Sequence, residues 1–230
     1  NPLQDLSIFI ENNIRILTTP YFTNYDPDQD ENTEIGKIGR IESIQVEDLL
    51  ERPAIDINTN NVGAILSNQV VLVTGGAGSI GSEIVRQIAN FKPTAIILME
   101  IAESPLHDLT IDLRRQYPHL QFVPIIADVR DIHMVEEVFA EYHPTVIFHA
   151  AAYKHVPLME DFPTQAIMAN VLGTKNMADM AIKYNAERFV MISTDKAVNP
   201  TNVMGASKRI AEIYVQSLFL KQVQKDANCT

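Results

Sequence analysis

A short apolar run followed by three evenly spaced glycines restricts the fold of this chain more than any other feature. The run Val70–Val73 has the length and composition of a buried β-strand, and TGGAGSIG (74–81) follows it, ahead of a helical pattern. In such a unit Gly75 permits a tight turn, Gly78 lets the backbone approach a phosphate, and Gly81 allows close packing of helix on strand. The helix start offers free N–H groups and a positive dipole end. The motif therefore predicts a dinucleotide site, with a purely structural turn as the alternative.

From residue 69 onward, apolar runs alternate with helical patterns. Strands are predicted at Val70–Val73, Ala95–Met99, Phe122–Ile126, Thr145–Phe148 and Arg188–Ile192, and helices at 79–91, 104–116, 131–141, 164–184 and 205–222. Strands that are apolar on both faces and separated by helices form parallel sheets covered on both sides. With right-handed crossovers, the pattern predicts an α/β protein with a Rossmann-like, doubly wound parallel sheet.

The first 60 residues carry most of the net charge of −11, with 12 of the 29 acidic side chains and only 4 of the 18 basic ones. The alternating aspartates of 26–30 suit a calcium loop, but Glu31 stands where the turn needs glycine and Lys37 where a glutamate should close the loop. A solvated acidic loop is therefore predicted, and no metal site. The absence of a basic stripe disfavours duplex nucleic acid as a partner, and none is predicted.

The same region predicts too few elements for a core of its own. It contains two short helical stretches, one with apolar positions at Leu6, Phe9 and Ile10 and one at Val46–Leu50, and two β-like runs, Ile14–Leu17 and Ile44–Val46. An asparagine-rich stretch then predicts a linker. We therefore divide the chain into a partial α/β remnant, a linker and a dinucleotide-binding domain, which span residues 1–53, 54–68 and 69–230.

The ends of the second and third predicted strands carry acidic residues suited to the adenosine half of a dinucleotide. Glu100 lies about 20 residues beyond Gly81, where a carboxylate can accept hydrogen bonds from the ribose and repel a 2′-phosphate. No Arg or Lys occurs in 93–113 to hold such a phosphate, so NAD is favoured over NADP. An exposed loop acid is the alternative. Asp128 and Val129 are predicted to face the adenine, although Asp is also common at helix starts.

Two further segments carry a resemblance to a known family. The fourth strand leads into HAAAYKHVPLME (149–160), and the fifth into STDKAVNPTNVMGASKR (193–209). Together with the glycine motif, these strings resemble the extended short-chain dehydrogenase/reductase superfamily, and more narrowly the CapD-like polysaccharide-biosynthesis family of UDP-N-acetylglucosamine 4,6-dehydratases. The resemblance covers about 42–230 and implies an NAD-dependent enzyme that converts a UDP-sugar to its 4-keto-6-deoxy form.

The resemblance also implies catalytic roles. NAD takes hydride from sugar carbon 4, a base removes the proton from carbon 5, an acid protonates the departing 6-hydroxyl, and the hydride returns to carbon 6. Asp195 would be the acid and Lys196 the base, whose pKa must fall through burial or through a nearby charge such as Lys208. Thr194 would bind the reacting sugar, and Lys208 the nicotinamide ribose. A surface Asp–Lys pair is the alternative.

One position departs from the superfamily pattern of Tyr-x-x-x-Lys. Met204 stands four residues before Lys208, and methionine has no exchangeable proton. The membrane-associated branch of the family also has methionine here, so the resemblance implies an active enzyme that retains the configuration at carbon 5. The proton of the 4-hydroxyl would then pass to Asp195 or to water.

The remaining assignments concern the cofactor, the substrate and a histidine. The cofactor-binding set comprises Gly75, Gly78, Ser79, Ile80, Gly81, Glu100, Asp128, Val129, Ala150, Ala151 and Lys208. Lys154, His155 and Asn170 are assigned to the substrate, although an Asn in an Asn-x-x-Gly-Thr pattern more often fixes strand–helix packing. His149 is predicted to be packed or hydrogen-bonded rather than a metal ligand.

The resemblance finally implies what this chain lacks. Family members begin with membrane-spanning helices and a further nucleotide-binding-like domain, and they continue into a lobe that grips UDP and the sugar. We therefore expect a fragment that binds NAD without turnover because the C-terminal substrate lobe is missing. Its parent would be a membrane-associated homo-oligomer at the cytoplasmic face of the inner membrane. A nucleotide-sugar epimerase and a non-catalytic dinucleotide-binding module are the alternatives.

Overall fold

The computed structural model of the chain describes residues 59–228 and two short segments, β1 (Leu17–Thr18) and β2 (Glu42–Ser43). β1 and β2 pair antiparallel, with Leu17 opposite Ser43. Apart from Leu17, the strands, helical turn and acidic loop predicted within residues 1–53 lie outside the described residues. The chain divides into two compact units, 1–57 and 58–230.

The second unit alternates strands and helices. Its strands are β3 (Val70–Thr74), β4 (Ala95–Glu100), β5 (Gln121–Ile126), β6 (Val146–His149) and β7 (Arg188–Met191). Its α-helices are α1 (Thr59–Leu66), α2 (Ser79–Ala89), α3 (Glu103–Gln116), α4 (Ile132–Tyr142), α5 (Val156–Asp161), α6 (Pro163–Ala166), α7 (Gly173–Lys183) and α8 (Val203–Asn228). A π-helical segment (Ile167–Leu172) joins α6 to α7, and a 3₁₀ turn (Asp195–Ala197) precedes α8. Within the described part of the chain, no helix is both long and apolar enough to cross a bilayer.

The five strands of this unit form one parallel sheet in the order β5-β4-β3-β6-β7. The order runs outward from β3 in both directions, which is the doubly wound topology predicted from the sequence. Connections leave β3 and β6 in opposite directions, so a crevice opens between their carboxyl ends, where ligands bind in such sheets. The predicted α/β, Rossmann-like fold is confirmed.

Apolar side chains cover both faces of the central strands. On one face, Val71 and Val73 pack with the buried sides of α2 and α3. On the other face, Leu72 and Ile97 pack with α4 and α7. Each such side chain contributes about 1.5–3 kcal/mol to the hydrophobic stabilisation. This double burial explains why the strands read as continuous apolar runs rather than as alternating ones.

The linker prediction is wrong for residues 59–66, which form α1. Leu66 is only 3% exposed, and Val62 and Ile65 pack against the same core cluster. These three side chains follow the i, i+3, i+4 spacing of a helix face, which the many asparagines around them obscured. Residues 54–58 of the predicted linker lie outside the described residues.

The single helix predicted at 164–184 is interrupted. The structure has α6, the π-helical segment and α7 in its place, because the backbone widens by one residue around the buried Asn170. The sequence also gave no prediction for α5, a helix of six residues with a proline in its first turn. Such a short helix has too few residues to establish an apolar period.

Candidate functional site

A cleft of about 270 Å³ opens at the carboxyl ends of β3, β4, β5 and β6. Ten of the residues assigned to the cofactor line it: Gly75, Gly78, Ser79, Ile80, Gly81, Glu100, Asp128, Val129, Ala150 and Ala151. Lys208, the eleventh, is not among the lining residues. Lys154, assigned to the substrate, also lines the cleft, together with Tyr153 and Arg130, which the sequence did not single out.

The glycine turn is built by close backbone contacts. Gly75 has a φ of +64°, and its carbonyl oxygen accepts a hydrogen bond from the Gly78 N–H at 3.0 Å. A Cβ on Gly81 would lie only 2.0 Å from that same oxygen. Gly78 is the N-cap of α2 and provides no side-chain cap. The first turn of α2 therefore presents its backbone N–H groups to the cleft, as a phosphate site requires.

Glu100 is oriented by backbone donors on two sides. Its Oε1 accepts hydrogen bonds from the N–H groups of Ile101 (2.9 Å) and Ala102 (3.1 Å), and its Oε2 accepts one from Ala77 in the glycine turn (3.3 Å). The carboxylate is therefore fixed at the rim of the cleft and is not a freely solvated loop acid. Because each carboxylate oxygen has two acceptor positions, Oε2 can accept one further hydrogen bond.

Asp128 lies after β5 and is held by Arg130. The Arg130 Nε donates to both carboxylate oxygens (3.0 and 2.8 Å), and Nη2 donates to Oδ2 at 2.6 Å. This side-chain hydrogen bonding holds the pKa of Asp128 below its usual value. Asp128 was also a candidate for capping the helix start. That role belongs instead to Asp131, whose carboxylate accepts hydrogen bonds from the backbone N–H groups of His133 and Met134. Arg130 was missed because its charge lies outside the stretch searched for a phosphate ligand.

His149 is fully buried in a chain of hydrogen bonds beneath the cleft. The Thr174 hydroxyl donates to the Asn170 carbonyl (2.7 Å), so His149 Nε2 must donate to Thr174 Oγ1 at 2.9 Å. His149 Nδ1 then accepts from the Thr74 hydroxyl at 2.7 Å, and Thr74 Oγ1 itself accepts from the N–H of Ala151 (3.3 Å). Burial and, to a lesser degree, the charge of Lys208 lower the pKa of His149 to about 3. The prediction of a hydrogen-bonded histidine is confirmed.

This burial predicts a pH-dependent stability. The unfolded chain takes up a proton on this histidine near pH 6.5, whereas the folded chain does not until about pH 3. The contribution of His149 to the free energy of unfolding is therefore fully present above pH 6.5 and is lost as the pH falls below that value. Between pH 7 and 5.5 we expect the free energy of unfolding in urea to drop by about 1 kcal/mol. The drop should vanish in His149→Gln and persist in the exposed-residue control His119→Gln. An equal drop in both variants would contradict the assignment.

Asn170 clamps the cleft wall to α8. Its Oδ1 accepts from the Tyr153 N–H (2.8 Å), and its Nδ2 donates to the Tyr153 carbonyl (3.0 Å) and to Ser207 Oγ (2.9 Å). The side chain is fully buried, and both amide hydrogens are used. The structure therefore contradicts the assignment of Asn170 to the substrate and supports a packing role. His155 is exposed at the start of α5 and does not line the cleft, whereas Lys154 does.

The segments that carry the predicted chemistry meet at the first turn of α8. Glu160 on α5 accepts a hydrogen bond from the Val203 N–H at 2.7 Å. A Cβ on Gly205 would lie 2.2 Å from the Lys196 carbonyl oxygen, so only glycine lets the 3₁₀ turn approach the helix this closely. Met204 is 3% exposed and packs against Met159 in a small apolar cluster. Its side chain packs in this cluster and does not line the cleft, and its assignment to the catalytic set stays a prediction.

The two lysines of the predicted site have opposite environments. Lys208 is only 5% exposed, and its Nζ donates to the Ile192 carbonyl at 2.6 Å. Burial lowers its pKa to about 8. The Lys196 side chain is half exposed, with its Nζ 3.6 Å from Asp195 Oδ1. The burial expected for Lys196 is therefore found at Lys208, because Lys208 lies on the inner side of α8.

Asp195 is held in its ionised form. The Thr194 hydroxyl donates to Asp195 Oδ1 at 2.9 Å, and this bond, followed by the charge of Lys196, keeps the pKa of Asp195 below its usual value. Asp195 and Lys196, the predicted acid and base, thus lie with Thr194, the predicted sugar ligand, in the segment that follows the carboxyl end of β7. The side chains of Asp195 and Lys196 are exposed to solvent and are therefore accessible to a substrate.

Comparison with known proteins gives the family. The model of the family described as "Polysaccharide biosynthesis protein" matches residues 71–230. The chain is 48% identical over 183 residues to the capsular polysaccharide biosynthesis protein CapD of Staphylococcus aureus, covering 79% of this chain and 31% of that one. It is 45% identical over 181 residues to the probable polysaccharide biosynthesis protein EpsC of Bacillus subtilis, covering 78% and 30%. The chain thus spans about a third of the length of these curated relatives.

Solved structures agree with this placement. The structure of Pen from Bacillus thuringiensis superposes with a TM-score of 0.62 at 30% identity, covering 66% of this chain and 47% of that one. The Thermus thermophilus UDP-glucose 4-epimerase, solved in complex with NAD, superposes with a TM-score of 0.50 at 26% identity, covering 64% and 50%. The family match over the sheet, the cleft and both signature segments leads to one conclusion: the chain belongs to the CapD-like polysaccharide biosynthesis proteins of the extended short-chain dehydrogenase/reductase superfamily.

Proposed function

We propose that this chain is the cofactor-binding part of a nucleotide-sugar 4,6-dehydratase that converts UDP-N-acetylglucosamine to a UDP-4-keto-6-deoxy sugar. The observation that carries the proposal is the position of Asp195 and Lys196. They lie at the carboxyl end of β7, two strands from the glycine turn, on the side of the sheet toward which a dinucleotide held by that turn extends. An acid and a base beside a hydride carrier are what this dehydration requires.

The described residues fit a nicotinamide dinucleotide. The first turn of α2 would hold its pyrophosphate, Glu100 its adenosine ribose, and Lys208 its nicotinamide ribose. Lys208 has three N–H donors and gives one to the Ile192 carbonyl, so two stay available for ribose hydroxyls. The carboxylate of Glu100 disfavours a 2′-phosphate, which supports NAD rather than NADP. When bound, the dinucleotide supplies the hydride acceptor for sugar carbon 4 and the donor for carbon 6.

The pKa of Asp195 determines its part in the sequence of proton transfers. Because Asp195 is held ionised, it starts as a proton acceptor and takes the proton of the 4-hydroxyl as hydride leaves carbon 4. The protonated Asp195 then gives this proton to the departing 6-hydroxyl, which leaves as water. Met204 takes part in neither transfer, because methionine has no exchangeable proton.

Lys196 would carry the proton of carbon 5. It removes this proton while water departs and returns a proton to carbon 5 after hydride reaches carbon 6, so the sequence consumes no net reductant. The half-exposed Lys196 must become less solvated for this step, and the bound sugar, lying over the 3₁₀ turn, would displace its water.

The test uses the complete polypeptide that carries this chain, with UDP-N-acetylglucosamine and NAD in deuterium oxide. We expect a product that has lost one water, has a ketone at carbon 4 and carries one solvent deuterium at carbon 5, as read by mass spectrometry and proton NMR. A product of unchanged mass with an inverted 4-hydroxyl would establish an epimerase instead. Dinucleotide binding without turnover of the sugar would establish a non-catalytic module.

A further inference from the structure

Arg130 is a charged residue lining the cleft to which neither the catalytic proposal nor the cofactor assignment gives a role. Among the described residues that line the cleft, two are cations, Arg130 and Lys154. Arg130 follows β5, whereas the predicted chemistry follows β7 at the other side of the sheet. A dinucleotide whose pyrophosphate lies on α2 and whose nicotinamide reaches toward β7 must place its adenosine half near β4 and β5.

The hydrogen bonds of Arg130 fix the plane of its guanidinium. Nε and Nη2 donate to the Asp128 carboxylate, and Nη1 donates to Gln165 Oε1 at 2.9 Å. All three nitrogens are thus engaged at the edge of the group, because guanidinium hydrogen bonds lie in its plane. The backbone N–H of Arg130 adds a further bond to Asp128 Oδ1 at 2.9 Å. Apart from one N–H on each Nη that these bonds do not use, what this side chain can offer a ligand is a flat, weakly hydrated face.

A fixed guanidinium face selects a particular class of ligand. Its positive charge is already compensated by Asp128, so a phosphate gains little there. A planar ring still gains stacking, because stacking depends on the flat face of the group more than on its net charge. Ile101, an apolar side chain at the end of β4, is 55% exposed and lines the same cleft. The surroundings are therefore those of a base, with an apolar contact from one loop and a planar cation from another.

We propose that Arg130 binds the adenine of the dinucleotide by stacking its guanidinium on the base, with Asp128 and Gln165 as the residues that hold the plane in position. The inference rests on the dinucleotide part of the proposed function and is independent of the reaction at the sugar. It also gives Asp128 a different part from the one predicted, because the carboxylate is committed mainly to Arg130.

Binding to the 230-residue chain tests this inference. In Arg130→Lys, which keeps the charge but loses the planar group, the Kd for NAD and for ADP-ribose should rise about 5- to 100-fold, the usual range for loss of one base-stacking side chain. The Kd for nicotinamide mononucleotide, which has no adenine, should not change. The control Arg115→Lys, in an exposed ion pair with Asp112, should bind all three ligands as the unchanged chain does. Titration calorimetry measures each Kd, and the thermal unfolding midpoint without ligand checks the fold.

A second variant, Arg130→Leu, and a second cofactor, NADP, complete the test. Arg130→Leu should weaken NAD binding as Arg130→Lys does, since both variants lack the planar cation. Unchanged NAD binding in either folded variant overturns the inference and leaves the cofactor assignment intact. Selective weakening of NADP would mean that Arg130 contacts the 2′-phosphate, which also overturns it. If the unchanged chain binds neither NAD nor ADP-ribose, the dinucleotide assignment itself is wrong.

Discussion

Replacing Lys196 by alanine in the complete polypeptide should lower the rate of sugar dehydration about 10²- to 10⁴-fold, the contribution typical of a general base. The Kd for NAD should stay nearly unchanged, because Lys196 is assigned to the sugar and not to the cofactor, and its side chain is half exposed. Initial rates with saturating UDP-N-acetylglucosamine measure the first effect, and titration calorimetry measures the second. The substitution should leave the fold intact, because the side chain is half exposed.

Two variants distinguish the base from a mere positive charge. Lys196→Arg keeps the charge but cannot lose its proton at accessible pH, so it should be as inactive as Lys196→Ala. Lys208→Ala should behave differently and raise the Kd for NAD, because the buried ammonium of Lys208 is assigned to the nicotinamide ribose. Turnover by Lys196→Ala within about tenfold of the unchanged enzyme would show that Lys196 is not the base. Lys208, whose burial lowers its pKa to about 8, would then be the next residue to examine.

The features that could be predicted from the sequence depend on short segments. The strands are buried on both faces, so each shows as an uninterrupted apolar run. The glycine spacing encodes a local backbone path, and ten of the eleven cofactor assignments therefore line one cleft. The positions of Glu100 and Asp128 in the cleft could be predicted because each residue lies at the end of a strand, and parallel strands bring their carboxyl ends to one edge of the sheet.

The features that were missed depend on contacts between distant segments. The burial of Lys208 comes from its place on the inner side of α8, where Met204, Lys208 and Ala211 are buried at helical spacing. The polar character of Lys208 concealed this pattern. Likewise Asn170 was assigned to the substrate because nothing in its own segment reveals its hydrogen bonds to Tyr153 and Ser207. The orientation of Arg130 could not be predicted for the same reason, since its hydrogen-bond partner Gln165 lies 35 residues further along the chain.

Replacing Gly81 by alanine should abolish measurable NAD binding by the 230-residue chain. The new Cβ would lie 2.0 Å from the Gly75 carbonyl oxygen, and no rotamer change can relieve this contact, because the oxygen belongs to the backbone and the position of Cβ is set by it. The turn must therefore open, and the first N–H groups of α2 lose their common direction toward the phosphates. Such overpacking also costs about 1–3 kcal/mol of folding stability, which urea unfolding would detect.

The matched control is Gly63→Ala in α1, where the new Cβ meets the Phe91 ring at an ordinary 3.5 Å. Alanine there should stabilise the chain by roughly 0.5–1 kcal/mol, because glycine is the poorer helix former, and should leave NAD binding unchanged. Loss of binding in both variants would point to a general sensitivity of the fold, and normal binding in Gly81→Ala would place the phosphate elsewhere. Loss in Gly81→Ala alone ties the dinucleotide to this turn, because the two substitutions add the same methyl group and differ only in the backbone that it meets.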